Sequence, residues 1–557
     1  MFIRVTRNSA GQAYYHLVES YRDEGKVKQR TLLSLGRVED GKLDELAQAI
    51  AKHTDMLSAL DIAKTMSVEQ TYVLGPLLIL QSLFERLGIE QALDRIEDAH
   101  RKQHYSLRDV VFALVASRFV RPTSKLAVYE GMREHLYPGL MPQELELHHL
   151  YRAMDRLCAH KDDIEKTLFL NGRDLFSTTV DVVLYDLTTL RFESTREDLS
   201  SLARFGYSKD KRSDCTQVVL GLLVDPDGTP LGFEVYPGNT VESKTLGDIV
   251  EKMRTKFSVR RFIVVADRGL LSKGNLDAIR NAQAEFVMGM RINGLSKKRP
   301  ELFDRSGFTK LTDGLEVMQT SFEQDRGLVT WSLTRAQRDK KVRDDILAKI
   351  RKKLASKKRI SAKAFVSNAN YHFFLKGLDH GKPELDEEKI KEAEKKDGFF
   401  AVVTNISDMS PDALYAQYKQ LWRIEDAFGE FKGTLKARPI FHWTDKRIIG
   451  HLTMCFIALV CESHITRVLR DTKQTRDSKA IEDGVIKERP LSAVSVFHDL
   501  AEVRAVPVTL GKQLIWVRTD ITGHVAKLFQ VLGLRIPPRV LKTENVVAQT
   551  RPDSTTV

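Results

Sequence analysis

The chain has 557 residues, room for three or four domains of about 150 residues each. It is 42% apolar, and Lys plus Arg outnumber Asp plus Glu by 87 to 75, a net charge of +12 that modestly favours a polyanionic partner. Four cysteines, Cys158, Cys215, Cys455 and Cys461, form no CxxC pair, so neither a zinc knuckle nor a disulfide framework is indicated. The opening MFIRVTRNSAGQAYY lacks the apolar run of a signal peptide. The longest apolar stretches, such as LTMCFIALVC at 452–461, look too short to span a bilayer. The expectation is a soluble intracellular protein with reduced core cysteines and no membrane partner.

Residues 1–57 read as an N-terminal β unit: MFIRVTR, AYYHLVESYR and KVKQRTLLSLG, separated by the turn signals SAGQ and DEG. Its many Arg and Lys residues make either a solvated or a nucleic-acid-facing surface. From 58 to 175 the period is helical. SLRDVVFALVASRF starts at the N-cap Ser106 and stops before Pro122, and Ser124 opens SKLAVYEGM. This pair suits a helix-turn-helix and suits any helical bundle equally.

Strands and helices alternate from 176 to 297. The strand VDVVLYDLTTL ends its apolar half at Asp186. TQVVLGLLVDPDG and PLGFEVYPGN form a hairpin around Pro226-Asp227-Gly228, and SKTLGDIVEKMRTKF is an amphipathic helix. RRFIVVADRG is a second core strand that ends in an acid, Asp267, before the helix KGNLDAIRNA and the strand EFVMGMRI. The pattern breaks over 298–394, which reads as an insertion. It mixes weak strands with the run RDKKVRDDILAKIRKKLASKKR at 338–359, where 11 Lys or Arg face 3 Asp. That run is a solvated helix or a nucleic-acid-facing surface. The strand pattern resumes at DGFFAVVTN, so 395–470 completes the α/β region, and 471–557 forms a C-terminal region.

A carboxylate at the end of a buried strand needs a cation, hydrogen bonds or a metal, because burying it unpaired is costly. Two such strands give two such acids. A third appears in LYAQYKQLWRIEDAFGEFKGTL. Leu414, Tyr418, Leu421, Glu425, Phe428, Lys432 and Leu435 are spaced as one continuous helix face, apolar except for Glu425 and Lys432. Those two lie about 10 Å apart along the axis, too far for a direct ion pair. Each serves something outside the helix. Three carboxylates on two strands and a helix suit hard divalent cations such as Mg²⁺. Two such ions activate a nucleophile and stabilise the leaving oxygen of a phosphodiester.

These residues resemble the DDE transposases of bacterial insertion sequences, and in particular the insertion-sequence-four superfamily. Its signature helix carries a Tyr, an Arg, the catalytic Glu and a Lys at fixed spacing. Tyr418, Glu425 and Lys432 match, while Leu421 stands in the Arg place and Arg423 lies nearby. The blocks YDLTTLRF, GYSKDKR at 206–212, YPGN, ADRG and RPIFHW at 438–443 resemble the family too. The likeness spans roughly 180–460.

The resemblance implies an α/β fold with a ribonuclease H-like catalytic core, a mixed sheet flanked by helices, over 176–297 and 395–470. A β-rich insertion subdomain would occupy 298–394. DNA-end binding would fall to 58–175 and dimerisation to 471–557. It implies catalytic and metal-holding roles for Asp186, Asp267 and Glu425, with two Mg²⁺ or Mn²⁺ ions. It implies DNA contacts through Tyr418, Lys432, Arg423, Arg268, Lys209, Arg212 and Trp331. The indole of Trp331, in LVTWSLTR, is either a core residue or a stacking platform for an extruded base. The partners would be double-stranded transposon ends and target DNA, bound by a homodimer in the cytoplasm at the nucleoid.

Two other readings stand beside this one. A haloacid-dehalogenase-like phosphotransferase also opens with an Asp after an apolar strand and a Thr two places later, as Thr188 provides, but ADRGLLSKGN lacks its later acidic pair. A DNA-binding repressor would bind ends and never cut them.

Overall fold

The computed structural model describes residues 2–23, 26–37, 70–100, 105–132, 134–142, 144–171, 181–209, 212, 214–257, 262–355, 372–376, 383–482, 485–510 and 513–541. The chain folds as two compact units made of interleaved segments. Met1–Thr178, Leu187–Thr240 and Glu425–Val557 form the first, and Thr179–Asp186 with Val241–Ile424 form the second.

The second unit carries a mixed sheet. Its strands are β1 (Asp181–Arg191, which passes into the first unit after Asp186), β2 (Phe262–Ala266), β3 (Glu285–Met290), β4 (Thr309–Thr312), β5 (Leu315–Phe322), β6 (Asp325–Ser332) and β7 (Phe399–Thr404). The order within the unit is β4-β5-β6-β7-β3-β2-β1. β1, β2 and β3 are parallel, and β7, β6, β5 and β4 follow antiparallel. All five residues of β2 and all six of β7 are buried, as expected of central strands covered on both faces. The residues expected as an insertion therefore contribute three strands, β4 to β6, that extend this sheet through β7.

Helices α1 (Leu246–Thr255), α2 (Lys273–Asn281), α3 (Leu333–Leu354), α4 (Glu387–Glu394) and α5 (Pro411–Lys419) belong to this unit. A short strand-helix switch opens α3: Ser332 ends β6 and its hydroxyl accepts from the Arg335 N–H at the first turn. α3 holds most of the basic run. It buries only Arg343, Leu347 and Ile350, with Arg343 bound to Asp397, and leaves Arg338, Lys340, Lys341, Lys349, Arg351 and Lys352 exposed. Ser410 caps α5 with Pro411 at its first position, and α5 packs on β2 and β3.

The first unit begins with an antiparallel three-stranded sheet, Phe2–Arg7, Ala13–Asp23 and Lys26–Arg37, where the sequence places it. Residues 38–57 of the expected β unit lie outside the described residues. Helix Leu107–Val120 is capped by Ser106, whose hydroxyl accepts from the Asp109 N–H. Ser124 caps a single α turn, Lys125–Ala127, that continues as a π-helical turn over Val128–Met132, in place of the regular helix expected there. The C-terminal region is not a separate layer: Arg504 and Ala505 pair with Val73 and Tyr72.

One expectation is corrected. LTMCFIALVC is the centre of a 27-residue helix, Asp445–Asp471, long and apolar enough by composition to cross a membrane. The apolar run looks short because it is bounded by His451 and Glu462, which are themselves 4% and 5% exposed. Its most apolar window is 83% buried within the protein, against helices Leu147–Ala159 and Leu107–Val120. Gly450 permits the close crossing, because a β carbon there would lie 2.0 Å from the Met154 carbonyl oxygen. Cys215, Cys455 and Cys461 are buried and Cys158 is partly buried, all as free thiols.

Candidate active site

Two carboxylates converge by strand register. β1 and β2 are parallel, with Tyr185 opposite Ala266, so the next residues, Asp186 within β1 and Asp267 just past the end of β2, follow side by side. Adjacent strands lie about 4.8 Å apart. The strands themselves are anchored: Val183, Leu184 and Tyr185 are buried, and the Tyr185 hydroxyl donates to Thr245 Oγ1 at 3.1 Å. Asp186 is partly buried and Asp267 is exposed, opening the turn Asp267-Arg268-Gly269. Both are hard oxygen donors, the ligand chemistry that a divalent cation such as Mg²⁺ prefers.

Asp267 accepts a hydrogen bond from the Tyr418 hydroxyl at 3.1 Å. The sequence places Tyr418 against DNA, and here its hydroxyl is engaged by the strand-end carboxylate instead. Burial first, then the Asp267 charge, push the phenol well above its usual pKa, so it stays a donor. Its ring lies 4.9 Å from that of Phe400. Gly289 on β3 makes the room, since a β carbon there would lie 2.5 Å from the Tyr418 oxygen. Reading the sequence missed this residue. The signal was present: a glycine inside the apolar strand EFVMGM marks a close approach. It also missed Glu242, whose carboxylate would lie 2.8 Å from a β carbon at Gly269.

The expected continuous helix over 414–435 is two helices. α5 ends at Lys419, and α6 (Trp422–Lys432) begins after a turn at Gln420-Leu421. There the bonds tighten to the three-residue step: Leu421 N–H to Tyr418 O, and Ile424 N–H to Leu421 O. The tighter turn shifts the helical phase. The buried face of α6 is Ile424, Ala427, Phe428 and Phe431, and Glu425 sits exposed in the first turn rather than on an apolar stripe. A buried Glu425–Lys432 ion pair is thereby excluded. Lys432 is partly buried at the end of α6. Asp186 and Asp267 belong to the second unit, whereas the first unit resumes at Glu425.

The remaining expected DNA contacts fare differently. Arg268 is exposed, with no ion pair among the described residues. Arg423 rests over the Trp422 ring at 4.5 Å. Lys209 is exposed and its ammonium donates to the Leu187 carbonyl at 2.5 Å. Arg212 is held bidentately by Asp214 at 2.6 and 2.8 Å. Trp331 is partly buried on β6, with the Arg305 guanidinium 3.5 Å over its ring, so one stacking face is already taken. It lines a cavity of about 630 Å³ with Phe303, Phe399, Arg305, Lys297 and Lys396.

One acidic cluster lies elsewhere. Asp162, Glu165 and Glu234 have the spacing of metal ligands, but the Lys161 ammonium stands among them at 3.7, 3.0 and 3.1 Å. This is an internal ion cluster with its cation supplied by the chain.

Acids side by side on neighbouring parallel strands of a mixed sheet suit metal-dependent phosphodiester chemistry. The family model of the transposase DDE domain matches residues 178–461, and that of the N-terminal domain of IS1634 family transposases matches residues 3–60. The chain belongs to the DDE transposase family. It is a DNA transposase with a ribonuclease H-like core, a divalent-metal-dependent enzyme that cuts DNA and transfers strands. No curated protein matches the chain.

Proposed function

We propose that Asp186, Asp267 and Glu425 together hold two Mg²⁺ or Mn²⁺ ions, and that the enzyme frees a 3′-OH at each inverted-repeat end of an insertion sequence and joins it to target DNA. The observation that carries this reading is the register of β1 and β2, which makes neighbours of Asp186 and Asp267. Bound ions supply an activated nucleophile and stabilise the leaving oxygen. The chain's own part is positioning. Buried strands fix the two aspartates, and Glu425 adds a third oxygen donor from the first turn of α6. Lys432, an ammonium on a flexible stem, binds a phosphate oxygen as a point charge. Arg268, Arg423, Lys209 and Arg212 add backbone contacts, and Trp331 with its cavity receives a displaced base.

The same reading places the chain in the insertion-sequence-four superfamily, on the spacing of Tyr418, Glu425 and Lys432. It assigns end binding to the region 58–175 and dimerisation on DNA to 471–557, with 1–57 as a separate β unit and 298–394 as DNA-handling insertion. The enzyme then acts as a homodimer at the nucleoid in the cytoplasm.

The test uses a plasmid carrying the inverted repeats that flank the gene. Mg²⁺-dependent nicking at the repeat boundary is expected, and Asp186→Ala or Glu425→Ala should abolish it while end binding persists, because phosphate contacts are spread over many basic residues. A protein that binds the repeats and never cuts would be a repressor, and the enzymatic reading would be lost.

A further inference from the structure

One side chain reaches Asp267 from another element. The Tyr418 hydroxyl, on α5, donates to Asp267 Oδ1 at 3.1 Å across 151 residues of sequence. No other described residue is hydrogen-bonded to the Asp267 carboxylate, which is exposed. The phenol is fixed from two further sides. Phe400 of β7 lies 4.9 Å from its ring, tilted by 36°. Gly289 of β3 lies under the hydroxyl, where a β carbon would come within 2.5 Å of the oxygen and 3.1 Å of Cζ. The Arg335 guanidinium lies over the Phe400 ring at 4.7 Å. Three strands thus contribute to one hydrogen bond: the residue after β2 supplies the acceptor, β3 the space and β7 the ring contact.

We propose that Tyr418 is a positioning residue for Asp267. Its hydroxyl holds one carboxylate oxygen so that the other presents to the divalent cation, and Gly289 leaves the room for it, since any side chain there would displace the phenol. This rests on Asp267 being a metal ligand. An exposed carboxylate turns freely about two side-chain torsions, and a hydrogen bond to one oxygen removes that freedom before the cation binds. The geometry argues against a phosphate contact for Tyr418, because its single proton is already donated.

The decisive variant is Tyr418→Phe, which keeps the ring on Phe400 and removes only the hydroxyl. Mn²⁺ binding to the full-length protein, read from the electron paramagnetic resonance signal of free Mn²⁺, should weaken about tenfold, as losing an orienting partner of a metal ligand does. Thermal stability should be near wild type. DNA-end binding without metal, and its salt dependence, should be unchanged. Gly289→Ala should weaken Mn²⁺ binding in the same direction, and the two changes together should cost no more than the larger alone. Wild-type Mn²⁺ affinity in Tyr418→Phe would overturn the proposal. So would weaker end binding with a shallower salt slope, which would make Tyr418 a phosphate contact. Asp267→Ala separates the two levels. If that variant binds Mn²⁺ like wild type, the assignment of Asp267 as a ligand fails. If it loses Mn²⁺ while Tyr418→Phe does not, only the role of Tyr418 fails.

Discussion

Raising the pH from 7.0 to 8.5 should strengthen the packing that anchors the end of α6, and Lys125 is the reason. Lys125 is 5% exposed, and its Nζ lies 2.7 Å from His451 Nδ1. His451 Nε2 faces the Ala437 carbonyl at 3.1 Å, and the buried Arg118 donates to the Leu435 and Lys436 carbonyls at 3.5 Å. This cluster, with Cys455 and His442 beside it, therefore fastens the segment that follows α6, the helix of Glu425 and Lys432. Burial, and then the nearby Arg118 charge, lower the Lys125 pKa from 10.5 to about 7. The unfolded chain consequently holds more protons between pH 7 and 10.5, and stability rises with pH across that window. At about 1.4 kcal/mol per pKa unit, and with the amine half neutral at the start, the gain from pH 7.0 to 8.5 is about 1.5 kcal/mol. Hydrogen exchange of the peptide over 445–471, corrected for intrinsic rate, reads this as an opening free energy. Lys125→Met should lack this rise over the same range, and the difference between the two proteins isolates the lysine. Equal pH slopes in wild type and Lys125→Met would refute the reasoning.

On the acid side, burial lowers His442 to about 3, His464 to about 4 and His451 well below its usual value, so each is neutral in the fold and its contribution is lost as pH falls below 6.5. Glu462, raised by burial to about 7, opposes them by binding a proton in the fold. Three protons against one leaves about 2.7 kcal/mol lost per pH unit between 6.5 and 4.5, measurable as early acid exchange of the same helix and absent if the histidines are solvated. Lys161→Met should cost about 3–5 kcal/mol by stranding Glu165, which is 1% exposed, and Glu234; adding Glu165→Gln and Glu234→Gln should restore much of the lost protection in helix Lys161–Asn171. Ser106→Ala should remove about 1 kcal/mol from helix Leu107–Val120 by orphaning the Asp109 N–H, visible as faster exchange confined to its first turn.

The aspartates were legible in the sequence because a polar acid after a wholly apolar strand is a local signal: five buried residues precede Asp267. The caps Ser106 and Ser124 were legible for the same reason, since a cap acts within three residues. What stayed hidden was long-range or lacked a marker. The turn at Gln420-Leu421 contains neither glycine nor proline, so the periodicity of 414–435 ran through it and put Glu425 on the wrong face. The bond from Tyr418 to Asp267 spans 151 residues and depends on β3 lying between β2 and β7, a sheet order that no local pattern encodes. The length of helix Asp445–Asp471 was obscured by buried polar residues that a run of apolar letters excludes.

The central claim is that Asp186, Asp267 and Glu425 ligate the cations that serve DNA cleavage. Cysteine substitution tests it most directly, because a thiolate is a poor ligand for Mg²⁺ and a better one for softer ions. Asp186→Cys, Asp267→Cys and Glu425→Cys should each bind the inverted-repeat ends, fail to cut them in Mg²⁺, and regain cutting when Mn²⁺ replaces it. Cleavage by Asp267→Cys in Mg²⁺ at the wild-type rate would contradict the account.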